Sequence, residues 1–315
     1  MLKKALALTA VTILAGAAGA FIRVKELATV FDDQGLAQRF APVTTALIVL
    51  CAAFGVFLFI VCFSGLRGMT CANGYENAFR ARSPAVVIIS FILAAGMCAG
   101  AYMCYRSEVP VLSHAIAVGV LALFAGVSGI AYLCLSIEAR RGKGSQTALC
   151  SLVIVVFTCY YLIISYKKKA ADPVLLDYVY DFLALCSSAM ASYYVAGFAF
   201  RRGAPRRTVF AGLLSVFFCI VALPGKTDTL YEAFFLIFIA VHLLISVFLL
   251  LKNASFPGSA NSAHPAAPKT PESPSSKEAA PTPQNLLTPD SPLTPENEIA
   301  RESESSPGSD DAPDI

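Results

Sequence analysis

The chain has 315 residues, 57% of them hydrophobic and 14% charged, far below the roughly 25% charged residues of a soluble globular protein. The charges are segregated: residues 1–252 hold 21 bases and 11 acids, net +10, whereas residues 253–315 hold 3 bases and 10 acids, net −7. This excludes an ordinary soluble domain. The bases also sit in short loops between apolar runs, as in a membrane protein, and not in the basic stripes of a nucleic-acid binder.

About 20 consecutive apolar residues cross a bilayer as a helix. Eight segments fit, at roughly 5–22, 43–63, 84–103, 111–136, 147–165, 174–200, 208–223 and 229–251. The expected fold is therefore all-α, a polytopic membrane helix bundle of eight transmembrane helices in hairpins, followed by a disordered tail. The first segment carries Lys3-Lys4, an apolar run and Ala18-Gly19-Ala20. That pattern fits a cleaved signal peptide or a retained anchor, and a second span following closely favours the anchor.

Each of the six prolines in this region (Pro42, Pro84, Pro110, Pro173, Pro205, Pro224) falls just before or at the start of a predicted helix. Proline suits a first helical turn, where its missing N–H leaves no bond unmade. None falls mid-span, which argues against the broken helices of many transporters. Thirteen loop bases lie on one side and eight on the other. The excess places both termini in the cytoplasm, with Lys167-Lys168-Lys169 as a dissenting run.

Short patterns recur. Asp177-x-x-Tyr180-Asp181 returns as Asp228-x-x-Tyr231-Glu232, and Phe79-Arg80-x-x-x-Pro84 returns as Phe200-Arg201-x-x-x-Pro205. They are compatible with duplicated hairpins and equally with chance. Gly96-x-x-x-Gly100 and Ala122-x-x-x-Gly126 are small-residue stripes that let helices approach closely. The cysteines form no CxxC pair and no Cys/His cluster, so they are expected to pack as small apolar residues without a metal or redox role.

The segment Arg23-x-x-Glu26-Leu27-Ala28-Thr29-x-Phe31-Asp32, followed by Gly35-Leu36, resembles the first outer loop of uncharacterised multi-pass proteins of gram-positive bacteria. The resemblance covers under a fifth of the chain. Those proteins often carry a tryptophan before the glutamate, where this chain has Lys25. It implies a bacterial plasma membrane and no particular chemistry.

Candidate functional residues are few. Asp177 and Asp181 share one helix face, and Glu232 stands at the corresponding outer end of the last span. Buried carboxylates there could form a cation or solute site, with Tyr180 and Tyr231 beside them. A plainer account is that acids suit helix N-termini and tyrosines an interfacial belt. His242, mid-span in the last helix, is a candidate for proton transfer or solute contact, although a lone intramembrane histidine more often bonds a neighbouring helix. Arg201, Arg202, Arg206 and Arg207 could attract anionic lipid headgroups.

The tail has 12 prolines in 63 residues together with Ser, Thr and acids, a composition that cannot bury enough surface to fold alone. Its Thr-Pro and Ser-Pro pairs could carry phosphate or dock a protein partner. No nucleophile elbow, Walker loop or zincin motif occurs, so neither enzyme activity nor a cofactor is expected. Two functions follow. One is transport or binding of a small solute or cation through an outer-facing acidic vestibule. The other is a non-transporting scaffold, sensor or accessory subunit acting through its loops and tail.

Overall fold

The computed structural model describes residues 2–29, 42–71, 74–81, 83–108, 115–142, 144, 146–169, 175–226 and 229–255. These belong to one compact unit, Met1–His264. The predicted tail lies outside the described residues from 256 onward.

The described elements are α1 (Leu2–Thr29), α2 (Pro42–Ile60), α3 (Tyr75–Ala78), α4 (Pro84–Glu108), α5 (Ala115–Arg141), α6 (Thr147–Lys169), α7 (Leu175–Ala199), α8 (Pro205–Ala222) and α9 (Leu230–Asn253). A π-helical turn, Val61–Gly65, extends α2, and a 3-10 turn, Leu223–Lys226, extends α8. All but α3 are long and apolar enough to cross a membrane, giving eight spans among the described residues. The protein is an all-α integral membrane bundle. An even number of crossings brings both ends of the bundle to one face.

Pro42, Pro84 and Pro205 open α2, α4 and α8, where the missing proline N–H costs nothing. Pro224 differs. It sits inside the 3-10 turn that prolongs α8, so the seventh span runs on to Lys226. The first span is longer than its apolar run implies: the helix continues through Arg23 to Thr29. The residues expected to begin an outer loop are its last two turns.

Sequential helices pack as neighbours from α4 to α9, and α1 returns to pack on α8. The centre is formed by α8 and α9, whose spans are 67% buried, against 22% for α2 and α4. Outward-facing Leu14, Phe91, Ile92 and Leu149 are exposed and suit lipid tails.

With little hydrophobic drive between helices in lipid, close approach and interhelical hydrogen bonds hold such a bundle together. Gly19 lies against α8; a Cβ there would come 2.7 Å from Val221 Cγ2. Ala18-Gly19-Ala20 therefore sits mid-helix on a packing seam. Gly100 admits Phe234 and Phe235 of α9, and Gly129 admits Met97 of α4. The small-residue stripes thus serve packing within the chain. Two serine pairs cross between helices, Ser90–Ser136 and Ser188–Ser215, each at 2.6 Å. All ten cysteines are free thiols.

One face of the bundle is capped. The segment around α3 buries Met69, Tyr75, Phe79 and Ala81, and Phe79 meets Phe198 edge-on at 5.2 Å. Asn253 at the end of α9 donates its side-chain amide to the carbonyls of Ala78 and Arg80, at 3.1 and 3.0 Å. Thr70 and Ser255 form a backbone bridge. Burial pushes the Cys71 thiol in this cap up to about 11, so it stays protonated and unreactive near neutral pH.

Candidate functional site

At the opposite face, the ends of α1, α6 and α8 meet the starts of α7 and α9. An up-and-down bundle brings these five ends to one side, although they are far apart in sequence. Charged residues that close one span and open the next therefore converge.

Asp181, in the second turn of α7, and Glu232, in the first turn of α9, are both buried, at 7% and 6% exposure. Neither is a solvated partner of a helix dipole. Lys226, at the end of the 3-10 turn, lies between them and is itself only 5% exposed. Its ammonium donates to Asp181 Oδ2 and to Glu232 Oε2, each at 2.6 Å. From α6, Lys169 donates to Asp181, and Lys168 stands 3.8 Å from Glu232 Oε1. Lys168 also donates to the Tyr231 hydroxyl at 2.8 Å, and Tyr231 reaches Glu232 Oε1 at 3.4 Å. The Lys169 ammonium lies 4.5 Å from the centre of the Tyr178 ring.

A second charged pair adjoins this network. Arg23 and Glu26, at the end of α1, are joined at 2.7 Å and buried at 2% and 0%. The Arg23 guanidinium lies over the Tyr180 ring at 4.9 Å. Two buried oxygens close by have no hydrogen-bond partner among the described residues, Glu26 Oε1 and the Tyr180 hydroxyl. A buried polar atom left unpaired costs about 1–3 kcal/mol, and of these two residues Tyr180 lines the adjoining cavity.

These side chains surround a cavity of about 270 Å3, lined among others by Arg23, Lys168, Lys169, Lys226, Asp181 and Glu232. Among the described lining residues, four bases face two acids. Arg23 is paired with Glu26, and the three lysines with Asp181 and Glu232, so the wall is a set of ion pairs in which a solute would have to compete for its partners.

Asp181, Glu232, Tyr180 and Tyr231 therefore come together as one site. Tyr180 and Tyr231 are buried, at 2% and 5% exposure; Tyr180 lines the chamber and Tyr231 joins its ion-pair network through Lys168 and Glu232, so they are not an interfacial belt. Asp177 falls in the first turn of α7, with its side chain outside the described residues, as is Asp228. His242 is elsewhere. It lies ten residues beyond Glu232 on α9, about 15 Å along the axis, and is absent from the chamber wall. Its ring stacks on Phe238 and meets Tyr132 edge-on at 4.5 Å, with Nδ1 unpartnered.

The basic half of the site, Arg23, Lys168, Lys169 and Lys226, escapes a sequence reading that takes loop bases as topology signals. One signal was available: Lys167–Lys169 runs against the side preference of the other bases. A lysine cluster on the disfavoured face needs a local partner, and here Asp181 and Glu232 supply it.

The chain matches no protein-family model, no curated protein and no solved structure.

Proposed function

We propose that this protein binds a small amphoteric solute, bearing one anionic and one cationic group, in the chamber between α1, α6, α7, α8 and α9, and moves it across the bilayer. The observation that carries this is the placement of Lys226 between Asp181 and Glu232 in a cavity at the helix ends whose wall, among the described residues, holds four bases and two acids. Ionisable groups this far inside a membrane protein are costly and mark solute or ion pathways. The chamber's 270 Å3 lies just below the roughly 300–1,000 Å3 of sites for drug-sized ligands. A solute of amino-acid size fits. Its carboxylate would meet Lys168, Lys169 and Arg23, and its ammonium would compete with Lys226 for the two acids.

The same residues support an orientation with the chamber outside and both termini in the cytoplasm of a bacterial plasma membrane. Of the eight bases on the disfavoured face, Arg23, Lys168, Lys169 and Lys226 line the chamber. Charges committed to internal acids bear less on topology. Setting them aside leaves four bases on that face against thirteen on the other, which strengthens the positive-inside bias. The cap around α3 then closes the cytoplasmic end.

The test is a thermal-melt panel on purified protein with amino acids, monocarboxylates and amines, followed by uptake into liposomes. A ligand at a hundred times its dissociation constant stabilises by about 2.7 kcal/mol. Amphoteric solutes should raise the melting temperature of wild type and not that of Asp181→Asn/Lys226→Met/Glu232→Gln. Stabilisation by simple amines alone, or a shift retained in the triple variant, rules the proposal out. So does the absence of any shift across the panel.

A further inference from the structure

A second hollow lies at the opposite face, and it differs in character from the chamber. It has a volume of about 730 Å3 and is lined by Leu152 of α6, by Tyr193, Tyr194 and Phe200 at the end of α7, and by Arg202 and Arg207. Because α6 packs on α7 and α7 on α8, α7 forms the floor, and its Ala196 and Gly197 leave room there. Leu152, Tyr193 and Phe200 are all exposed at 45% or more, a large apolar surface for three adjacent side chains.

The two arginines come from different elements. Arg202 follows the end of α7. There, its N–H bonds the Gly197 carbonyl at 2.8 Å, while the N–H of Arg201 bonds that of Phe198 at 3.1 Å, a Schellman-type end. Arg207 lies in the first turn of α8, where the helix dipole also favours an anion. No carboxylate is among the described lining residues. The two arginines thus stand at the ends of the α7 and α8 spans, and the apolar wall runs from them along α6 and α7 into the spanning segments.

We propose that this groove is a binding site for one anionic phospholipid. Arg202 and Arg207 take the phosphate by charge-assisted bonds, and an acyl chain lies on Leu152, Tyr193 and Phe200. Charge complementarity selects the headgroup, because the guanidinium fork matches a phosphate. The exposed apolar wall selects a lipid over a soluble phosphate. This site stands apart from the chamber and is tested independently of any solute.

The experiment is native mass spectrometry of the full chain released from micelles doped with phosphatidylglycerol or phosphatidylcholine. Wild type should retain one phosphatidylglycerol in preference to phosphatidylcholine. Arg202→Gln/Arg207→Gln should weaken that retention about thirtyfold, given the usual strength of two surface arginine contacts. Leu152→Trp, which reshapes the apolar wall but keeps both arginines, should lower it as well. Arg140→Gln/Arg141→Gln, at the end of α5 on the same face, should leave it unchanged. Equal retention of both lipids, equal loss in the α5 variant, or full displacement by soluble glycerol phosphate would overturn the proposal. The last outcome would mark a plain anion site. A circular-dichroism melt of each variant confirms that the helices persist.

Discussion

Lys226 and Asp181 are 45 residues apart in the chain and meet at 2.6 Å with both side chains almost fully enclosed. The contact ties the 3-10 turn after α8 to the second turn of α7. It places an ammonium where a sequence reading of the acids alone expects an open cation site. The acids are charge-compensated from within the chain, and that decides both how they contribute to stability and what they can bind.

Removing the central charge tests the first point. Lys226→Met leaves two buried carboxylates short of their shared partner, and breaking a buried pair in this way costs about 3–5 kcal/mol. Asp181→Asn/Lys226→Met/Glu232→Gln removes both buried carboxylates together with the lysine they share, and leaves Lys168 and Lys169, the less enclosed members at 26% and 15% side-chain exposure, to turn toward water. That variant should regain most of the loss in a denaturant or thermal melt while remaining blind to solutes. A triple variant no more stable than Lys226→Met alone would contradict the account.

The α1–α8 seam gives a steric prediction. At Gly19 an added Cβ meets Val221 at 2.7 Å, whereas at Gly55 of α2 nothing lies within 4 Å. Overpacking typically costs about 1–3 kcal/mol. Gly19→Leu should destabilise the protein by that amount and Gly55→Leu should leave it near wild type, read as melting temperatures in one detergent. Equal effects would show that the glycine spacing, and not the contact with α8, sets the cost.

His242 is packed between Tyr132 and Phe238 with Nδ1 unpartnered. Phenylalanine keeps the ring contacts and removes the orphan nitrogen. His242→Phe should therefore match or exceed wild-type stability, by up to about 1–3 kcal/mol if the nitrogen is wholly desolvated. It should also keep any solute-induced shift, since the ring is absent from the chamber wall. Loss of that shift in a well-folded His242→Phe protein would bring the histidine back into the mechanism.

Arg201 adopts φ +57°, the left-handed conformation that glycine usually supplies at a helix end. An L-residue there is strained by about 1 kcal/mol or more. Arg201→Gly should raise stability by about 1 kcal/mol in detergent free of anionic lipid. It should not affect retention of phosphatidylglycerol, because Arg202 and Arg207 line the groove and Arg201 does not. A lower melting temperature would mean that the arginine side chain contributes more than its backbone costs.

The sequence by itself determined the class and the count of spans. Runs of apolar residues long enough to cross a bilayer have one low-energy backbone solution, the helix, because lipid offers the peptide groups no partners. Prolines 42, 84 and 205 marked three helix starts for a reason local to one residue, the missing N–H. The first helix outran its apolar segment because Arg23 and Glu26 neutralise one another three residues apart, so that charge did not end it. Which charges meet was beyond the sequence. Asp181 finds Lys169 twelve residues back across a hairpin and Lys226 at the next turn, and Glu232 finds Lys168 from 64 residues away. Burial of these groups and the excess of bases on the chamber wall depend on five helix ends converging at one face. Packing alone decides that, since the energy of an ion pair in a membrane protein is set by the distance and dielectric between its partners, not by their separation along the chain.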